Sequence, residues 1–392
     1  MTRICMVAYT HYPTDSRVRR EANALVERGD LVDFICLGSE GGQSVEILDG
    51  VRLIKIRISR YRGSSTRMYL VSYLQFFVIA TFKLLWLQLK NPYAVIQVHT
   101  MPDFMIFVAI FPKLFGAKVL LDVHDLMPEL YQSKFGYKET HPLIRFITWM
   151  ERCSIAFADQ AIAVHKPHLD ALCRHGNPAQ KFTILLNLPD HRVFGQCEPS
   201  LFASACSDFQ LIYHGTVSKR HGLEIAIRAI SALKEEINGL VLKIIGDGDD
   251  LTRLVVLVNE LELNKFVQIH IGMIPMEELI PKIKSASVGI VPVLYDEFTK
   301  YMLPVKLLEY VALGIPVICS RTPTIESYFD DTMVQYTSPG DVDELAAHIR
   351  FLYKNPDRRK VLCVNSSKFN RDYSWEKQKL SYYKLIDSLI RK

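Results

Sequence analysis

Several short stretches carry residues whose types and spacing could do chemistry. In Tyr301–Ser320 (YMLPVKLLEYVALGIPVICS), Pro304 is placed to open a helix, Lys306 and Glu309 follow in its first turns, and Gly314 closes it. A helix start presents free N–H groups and a positive dipole end near Leu303 and Pro304, a seat for a diphosphate. A carboxylate at Glu309 could accept hydrogen bonds from two adjacent hydroxyls, as on a ribose; the bland reading is a crossover helix with a solvated Glu. In Tyr213–Ala229 (YHGTVSKRHGLEIAIRA) a strand ends at Gly215-Thr216, and Lys219, Arg220 and His221 precede a helix. Cations there could neutralise a diphosphate, or form a charged surface turn. Ile244–Asp250 (IIGDGDD) has two readings. Asp247-Gly248-Asp249 could be a metal-binding acidic triplet, or Gly246 and Gly248 could make a strand-to-helix turn; the flanking strand and helix favour the glycines. In the first half, Asp15 or Ser16 could cap a helix carrying Arg17, and Leu121–Glu129 (LDVHDLMPE) sets Asp122, His124, Asp125 and Glu129 at a strand end. A histidine there could deprotonate or orient a hydroxyl, or simply pack. His99, opening His99-Thr100-Met101-Pro102-Asp103, ends another strand.

The elements that must position these residues alternate strand and helix throughout. Strands are expected at Arg3–Ala8, Asp33–Leu37, Val51–Ile56, Ala94–Val98 and Lys118–Val123, with helices at Ser16–Arg28 and Phe104–Phe115. The pattern restarts at Phe209–Tyr213 and continues to Ile315–Cys319. Runs apolar on both faces indicate buried parallel strands, so the chain is expected to be α/β with two doubly wound domains. Periodicity fails across Leu188–Asp208. The expected organisation is therefore 1–187, a linker over 188–208, a second domain over 209–365, and a C-terminal helix over 366–392 packing back on the first domain. Such domains form a cleft, and ligands bind beyond the carboxyl ends of the strands.

Composition narrows the class. The chain has 392 residues, 49% hydrophobic and 23% charged, which excludes a disordered polypeptide. Eight cysteines without a C-x2-C pair argue against a disulfide framework or structural zinc and for a reducing compartment. The N-terminus has no signal-like apolar region, and Tyr69–Leu89 is broken by Ser72, Gln75 and Lys83, so neither secretion nor spanning is expected. The net charge of +5 is localised: Gly50–Pro102 contains no acid and carries +8, and the rest of the chain carries −3. Arg57, Arg60, Arg62 and Arg67 precede an aromatic, aliphatic helix, a combination that favours an anionic membrane surface; the plain alternative is a buried crossover helix. No nucleic-acid-reading motif accompanies the basic stretch.

The second half resembles the retaining glycosyltransferases of the GT-B fold, specifically glycosyltransferase family four. Those sequences pair two Glu eight residues apart, followed by an Ala, Gly, Pro and Val pattern; here Glu309 is the second Glu and Ala312, Gly314, Pro316 and Val317 follow. The resemblance implies GT-B architecture, two Rossmann-like domains facing a cleft, with Glu309 on the nucleotide ribose. Tyr301 stands where the first Glu, which contacts the donor sugar, is usual; Asp296 and Glu297 lie just upstream. The Pro304-x-Lys306-x-x-Glu309-Tyr310 core is similar to a subgroup in which the Lys could reach the phosphates. The Gly215 loop is similar to a Gly-Arg…Lys-Gly loop, with Thr216 in place of the Arg and His221 in place of the Lys, so Arg220, then Lys219, would carry the charge. Gly246 and Gly248 match the glycine turn of the nucleotide domain, and backbone at Gly272-Met273 would meet the base. Pro13, Asp15, Arg17 and Val18 are similar to an acceptor-domain pattern in which Arg17 faces the cleft, with Arg20 and Glu21 on the helix surface. His124 would lie near the donor sugar, with His99 and Asp125 lining the same region.

The implied activity is retaining transfer of a sugar from a nucleoside-diphosphate-sugar to a hydroxyl of a saccharide or lipid-linked acceptor, in cell-surface polysaccharide or glycolipid synthesis. No metal or cofactor is expected, and the location is cytoplasmic, peripheral at the inner membrane face. The alternatives are a nucleotide-sugar epimerase of the same fold and a catalytically silent partner subunit, the latter kept open by Tyr301.

Overall fold

The computed structural model describes residues 1–38, 43–58, 66–189, 194, 208–272 and 274–391. They form two compact units, Met1–Asn187 with Glu376–Lys392, and Leu188–Trp375.

In the first unit, the buried runs become β1 (Arg3–Val7), β2 (Leu31–Leu37), β4 (Val51–Ile56), β5 (Val95–His99), β6 (Lys118–Val123), β7 (Gln160–Ala163) and β8 (Phe182–Ile184). With β3 (Val45–Leu48) they make one sheet in the order β3-β4-β2-β1-β5-β6-β7-β8. Only β3 runs antiparallel, paired with β4 through the two-residue turn Asp49-Gly50, both at positive φ. This half-exposed edge strand lacked the buried run that marks its neighbours. β1 lies between β2 and β5, so the strand order reverses there. The loops after β1 and β5 therefore flank a natural ligand position.

The helices are α1 (Ser16–Glu27), α2 (Thr66–Lys90), α3 (Ile110–Leu114), α4 (Met127–Phe135), α5 (Pro142–Phe157) and α6 (Lys166–Arg174). The crossover expected as one helix over Phe104–Phe115 is a 3-10 segment, Asp103–Ala109, running into the short α3. Asp15 caps α1, its Oδ1 accepting from the Val18 N–H at 3.4 Å. Arg20 and Glu21, expected on the surface of α1, are buried at 3% and 0% exposure. Two cations of the acid-free stretch are paired from outside it, Arg52 with Asp33 and Lys55 with Glu46. Arg60 and Arg62 lie outside the described residues.

The second unit is all-parallel: β9 (Phe209–His214), β10 (Leu240–Gly246), β11 (Val267–Ile271), β12 (Val288–Val291), β13 (Val317–Ser320) and β14 (Gln335–Thr337), in the order β11-β10-β9-β12-β13-β14. Its helices are α7 (Leu223–Leu233), α8 (Leu251–Glu260), α9 (Met276–Lys284), α10 (Val305–Ala312), α11 (Pro323–Glu326), α12 (Val342–Lys354) and α13 (Pro356–Asp372). The order reverses between β9 and β12, and α10 follows β12. The ring of Tyr310 lies against Gly289 of β12; a Cβ there would come within 2.5 Å of it, so only glycine seats α10 this close. The helical stretch expected over 366–392 is two elements. α13 ends at Asp372 in the second unit, whereas most of α14 (Trp375–Ile390) belongs to the first. There Tyr382 donates to Gln97 Oε1 at 2.5 Å, Tyr383 to the Ala24 carbonyl at 2.8 Å, and Arg28 pairs with Asp387 at 2.7 Å.

Candidate active-site residues

In the second unit, the loops at the strand-order reversal gather the charged groups. Pro304 is the residue before α10 rather than its first residue, with extended ψ of 123°. The first intrahelical bond is donated by Leu307 to the Pro304 carbonyl at 3.0 Å, so the Val305 and Lys306 N–H groups precede it. Lys306 donates to the Tyr213 hydroxyl at 2.5 Å, and Tyr213 donates to the Thr216 carbonyl at 2.5 Å. Burial pushes the Lys306 ammonium down to about 7; Glu309 opposes the fall and Arg220 adds to it. Glu309 is held by His214, whose Nε2 lies 2.6 Å from Oε2, while His214 Nδ1 lies 3.0 Å from the Tyr310 hydroxyl.

The 3-10 turn Lys219–His221 brings the Arg220 guanidinium against the Phe298 ring at 5.4 Å. Its Nε is buried without a hydrogen-bond partner among the described residues, an open donor in a cationic loop. The Arg220 carbonyl accepts from Leu294 N–H at 2.9 Å and ties the loops after β9 and β12 together. His221 is buried, 3.1 Å from Ser218 Oγ, and burial followed by Lys306 and Arg220 pushes it down to about 3. It is neutral at neutral pH and supplies no charge. Lys219 and Thr216 are exposed, and Gly215 turns the chain at φ of 103°.

Gly246 and Gly248 meet a steric constraint within the fold itself. A Cβ on Gly246 would lie 1.9 Å from the Gly215 carbonyl oxygen, and one on Gly248 equally close, 1.9 Å, to that of Val217. Two backbone loops meet there, and only glycine allows it. The acids beside them are engaged locally: Asp247 accepts from Gly248 N–H at 2.8 Å, and Asp250 accepts a paired contact from Arg253 at 2.6 and 2.8 Å. Asp296, considered as a stand-in for the missing Glu, accepts from the Phe298 and Thr299 N–H groups at 2.8 and 2.7 Å. Glu297 pairs with Lys300, which also lies over the Tyr301 ring at 5.2 Å. Met273 lies outside the described residues.

In the first unit, Asp122 at the end of β6 organises a buried cluster. Arg17 donates to it from Nε at 2.9 Å and Nη2 at 2.6 Å, and to the Leu185 carbonyl at 3.2 Å. Arg17, expected to face a ligand, is 3% exposed and committed to this carboxylate. Asp122 Oδ2 also lies 2.8 Å from His124 Nε2 and 3.0 Å from His99 Nδ1. Burial alone would raise the Asp122 carboxyl; Arg17, then His124, outweigh it and hold it well below the usual range. Burial, reinforced by Asp122, pushes the neighbouring Glu21 up to about 7. Glu21 accepts from Gln97 at 2.7 Å, linking the cluster to Tyr382. With Nε2 tied to Asp122, the partly exposed His124 has only Nδ1 left for a partner beyond the cluster. Asp125 is partly buried next to it.

His99, Asp122 and His124 offer three ligand atoms within 4.8 Å of one another, a spacing that could hold a metal ion. The Arg17 guanidinium bonded to the same carboxylate opposes a dication there, and Asp122 is the shared partner of Arg17, His99 and His124. Sequence reasoning had assigned no role to His214 or Tyr213. Their signal was the Tyr-His pair immediately before Gly215. His168, buried with neither ring nitrogen bonded among the described residues, was also missed and is held neutral by burial.

Two α/β units with mainly parallel sheets, each reversing strand order once, give the two-domain GT-B architecture. The chain belongs to the group 1 glycosyltransferases: residues 203–369 match the family Glycosyl transferases group 1, and residues 14–187 match the Glycosyl transferase 4-like domain. Among curated relatives it is 28% identical over 120 residues to an O-antigen chain mannosyltransferase B of Escherichia coli, covering 30% of each chain. It is 26% identical over 178 residues to the amylovoran biosynthesis glycosyltransferase AmsK of Erwinia amylovora, covering 45% of this chain and 43% of that one. These alignments thus span less than half of the relatives' lengths. Among solved structures, sucrose-phosphate synthase from Thermosynechococcus elongatus superposes with a TM-score of 0.80 at 18% identity over 100% of both chains. Anabaena HepE, solved with UDP-glucose, gives 0.71 at 13% identity over 99% of this chain and 100% of that one.

Proposed function

We propose that this glycosyltransferase moves a sugar from a nucleoside-diphosphate-sugar to a hydroxyl of a saccharide or lipid-linked acceptor, with retention at the anomeric carbon. The observation that carries this reading is the grouping of Lys306, the open Arg220 Nε and the His214-held Glu309 at one strand-order reversal. In the transfer, the bond from the anomeric carbon to the donor phosphate oxygen breaks. A bond to the acceptor oxygen forms on the same face of the sugar, and the acceptor proton leaves with the phosphate. Lys306 and Arg220 meet the charge that collects on the departing diphosphate, and the α10 N–H groups add to them. Glu309 accepts from the ribose hydroxyls. His124, oriented through Nε2 by Asp122, serves the acceptor side through Nδ1. These cations take the role a divalent metal has in other transferases, so transfer is proposed to be metal-independent. The O-antigen and amylovoran relatives support a place in cell-surface polysaccharide synthesis, and the HepE complex supports a nucleotide-sugar donor.

Donor turnover tests the assignment. Arg220→Ala and Glu309→Ala are each expected to lower kcat/KM roughly 10²-fold, the scale of one lost charge-stabilising contact. His214→Ala should fall in the same direction by a smaller factor through KM, because it frees Glu309 without removing it. Wild-type turnover should persist in EDTA. Near-wild-type rates for both Arg220→Ala and Glu309→Ala would sink the site. Nucleotide binding by the wild-type protein with no turnover on any acceptor would favour the silent-subunit reading.

A further inference from the structure

We propose that the outer face of α2, continued by α3 and α5, docks into the interface of an anionic lipid bilayer, so that the first unit lies on the membrane rather than crossing it. This goes beyond the transfer reading and does not depend on it.

α2 is inverted relative to an ordinary surface helix. From Met68 to Lys90 its exposed residues are apolar except Gln75, Lys83 and Lys90. Val71, Leu74, Val78, Phe82, Trp86 and Leu89 recur every three or four residues and form one stripe. Phe82 and Leu89 are each 64% exposed, and Trp86 is 53% exposed. The polar residues Ser72, Thr81 and Gln88 are on the buried side. A surface helix normally places its polar residues outward. α3 packs along α2, and the 3-10 segment leading into α3 meets α2 through the Phe77–Phe104 ring contact and α5 through Phe107–Phe157. Leu114 and Phe115 of the α3 end, with Phe146 and Trp149 of α5, add further exposed apolar surface at 77%, 58%, 54% and 55%. Exposed apolar residues gathered on neighbouring helices mark an interaction site.

By length and composition α2 could cross a membrane. Its inner side is fastened to the first unit instead. The Tyr9 and Ser72 hydroxyls lie 2.5 Å apart, Tyr9 packs edge-on against Tyr73 and Phe76, and Gln88 Oε1 accepts from the Tyr93 N–H at 2.9 Å. Crossing would strip these bonds inside hydrocarbon; lying in the interface keeps them.

Charge selects lipid as the occupant. α2, α3 and α5 contain a single acid, Glu151, which is buried and bonded to His175 at 3.0 Å. The cations are outward: Lys83 and Lys90 sit 5.5 and 4.9 Å from the Trp86 ring centroid, and Arg145 is exposed beside Phe146. Trp at the apolar edge with Lys reaching past it matches the headgroup boundary, and cations there attract anionic lipid. A two-fold dimer through this face would instead set Lys83 and Lys90 against their own copies with no exposed acid on these helices to offset them.

Flotation of the full chain with vesicles of phosphatidylglycerol and phosphatidylcholine, against phosphatidylcholine alone, tests the proposal. The wild-type protein should float with the mixed vesicles and retain part of that binding in 1 M salt. Phe82→Asp/Trp86→Asp should lose at least tenfold in vesicle affinity with unchanged circular dichroism and unchanged uridine diphosphate binding. Bromine-labelled lipid should quench wild-type tryptophan emission, and Trp86→Phe should reduce the quenched fraction. Absence of flotation at low salt, or equal flotation by the double variant, overturns the proposal. A wild-type dimer that the same substitutions disrupt also overturns it and assigns the face to a second copy. Retained nucleotide binding keeps each of these outcomes separate from any failure of the transfer reading.

Discussion

Lys306→Ala is expected to lower donor kcat/KM by roughly 10²–10³-fold, equivalent to about 2.7–4 kcal/mol of transition-state stabilisation. The cause is electrostatic. In the free protein, burial and the Arg220 charge hold Lys306 near neutrality, at about 7, against the pull of Glu309. A diphosphate reverses this balance, because nearby anions favour the charged ammonium. The sign follows directly. Below pH 7 Lys306 is already protonated and donor binding takes up no proton. Above pH 7 the free lysine is mostly neutral, so binding draws a proton from solution and affinity falls as pH rises. Calorimetry of uridine diphosphate binding at pH 8, in two buffers of different ionisation enthalpy, should show net proton uptake. Lys306→Ala should abolish both the uptake and the pH dependence. Lys306→Arg should abolish the uptake while keeping the charge, since a guanidinium stays protonated throughout this range. Equal binding enthalpies in the two buffers for the wild-type protein would refute the proton-linked role.

Asp122→Ala destabilises the first unit by about 3–5 kcal/mol, the usual consequence of leaving one partner of a buried ion pair uncompensated. Arg17 is 3% exposed and has Asp122 as its two-point partner, so removal strands a guanidinium in the interior. For a unit of this size the melting temperature should drop by on the order of 10 °C. Asp122→Asn should cost less, because its amide oxygen can still accept from Arg17, whereas in both variants loss of the charge lets Glu21, 3.4 Å from Arg17 Nε, ionise more readily. Combining Asp122→Leu with Arg17→Met should recover much of the loss, as apolar replacement of both partners does elsewhere. The depressed Asp122 carboxyl also sets a pH window. Its contribution is complete above the ordinary aspartate value near 3.9 and is lost as pH falls through its lower folded value. Thermal unfolding of Asp122→Ala within a few tenths of a kcal/mol of wild type would remove Asp122 from its organising role. Turnover separates stability from chemistry: a folded Asp122→Asn protein should still lose rate, because a neutral amide orients the His124 ring more weakly than a carboxylate does.

Sequence reasoning reached the architecture because its signals are local. Buried parallel strands are apolar on both faces, so β1, β2, β5, β6 and β9 stand out as short runs, and the loss of periodicity near Leu188 marks where the units divide. The placement of Glu309 and Lys306 on one helix was legible for the same reason, since their spacing from Pro304 and Gly314 is fixed along that helix. β3 escaped because an exposed four-residue edge strand needs no buried run, and its hairpin rests on the turn Asp49-Gly50.

What the sequence by itself determined is the alternation of elements, the two-unit chain and the motif that places the chain among group 1 glycosyltransferases. What only the tertiary structure decided is which polar side chains are already spent. Arg17 and Asp122 are 105 positions apart, and their pairing exists only because folding brings the start of α1 to the end of β6. His214 steers Glu309 from 95 positions away. That Gly246 and Gly248 also sit where two backbone loops meet, leaving no room for a Cβ, is visible only in space. The acid-free stretch reads in sequence as eight unpaired cations beside an apolar helix; folding pairs Arg52 and Lys55 with acids and turns an apolar stripe of α2 outward. Periodicity reports that a helix has an apolar side but not which side the rest of the chain covers, because burial is a property of neighbours brought together from distant sequence.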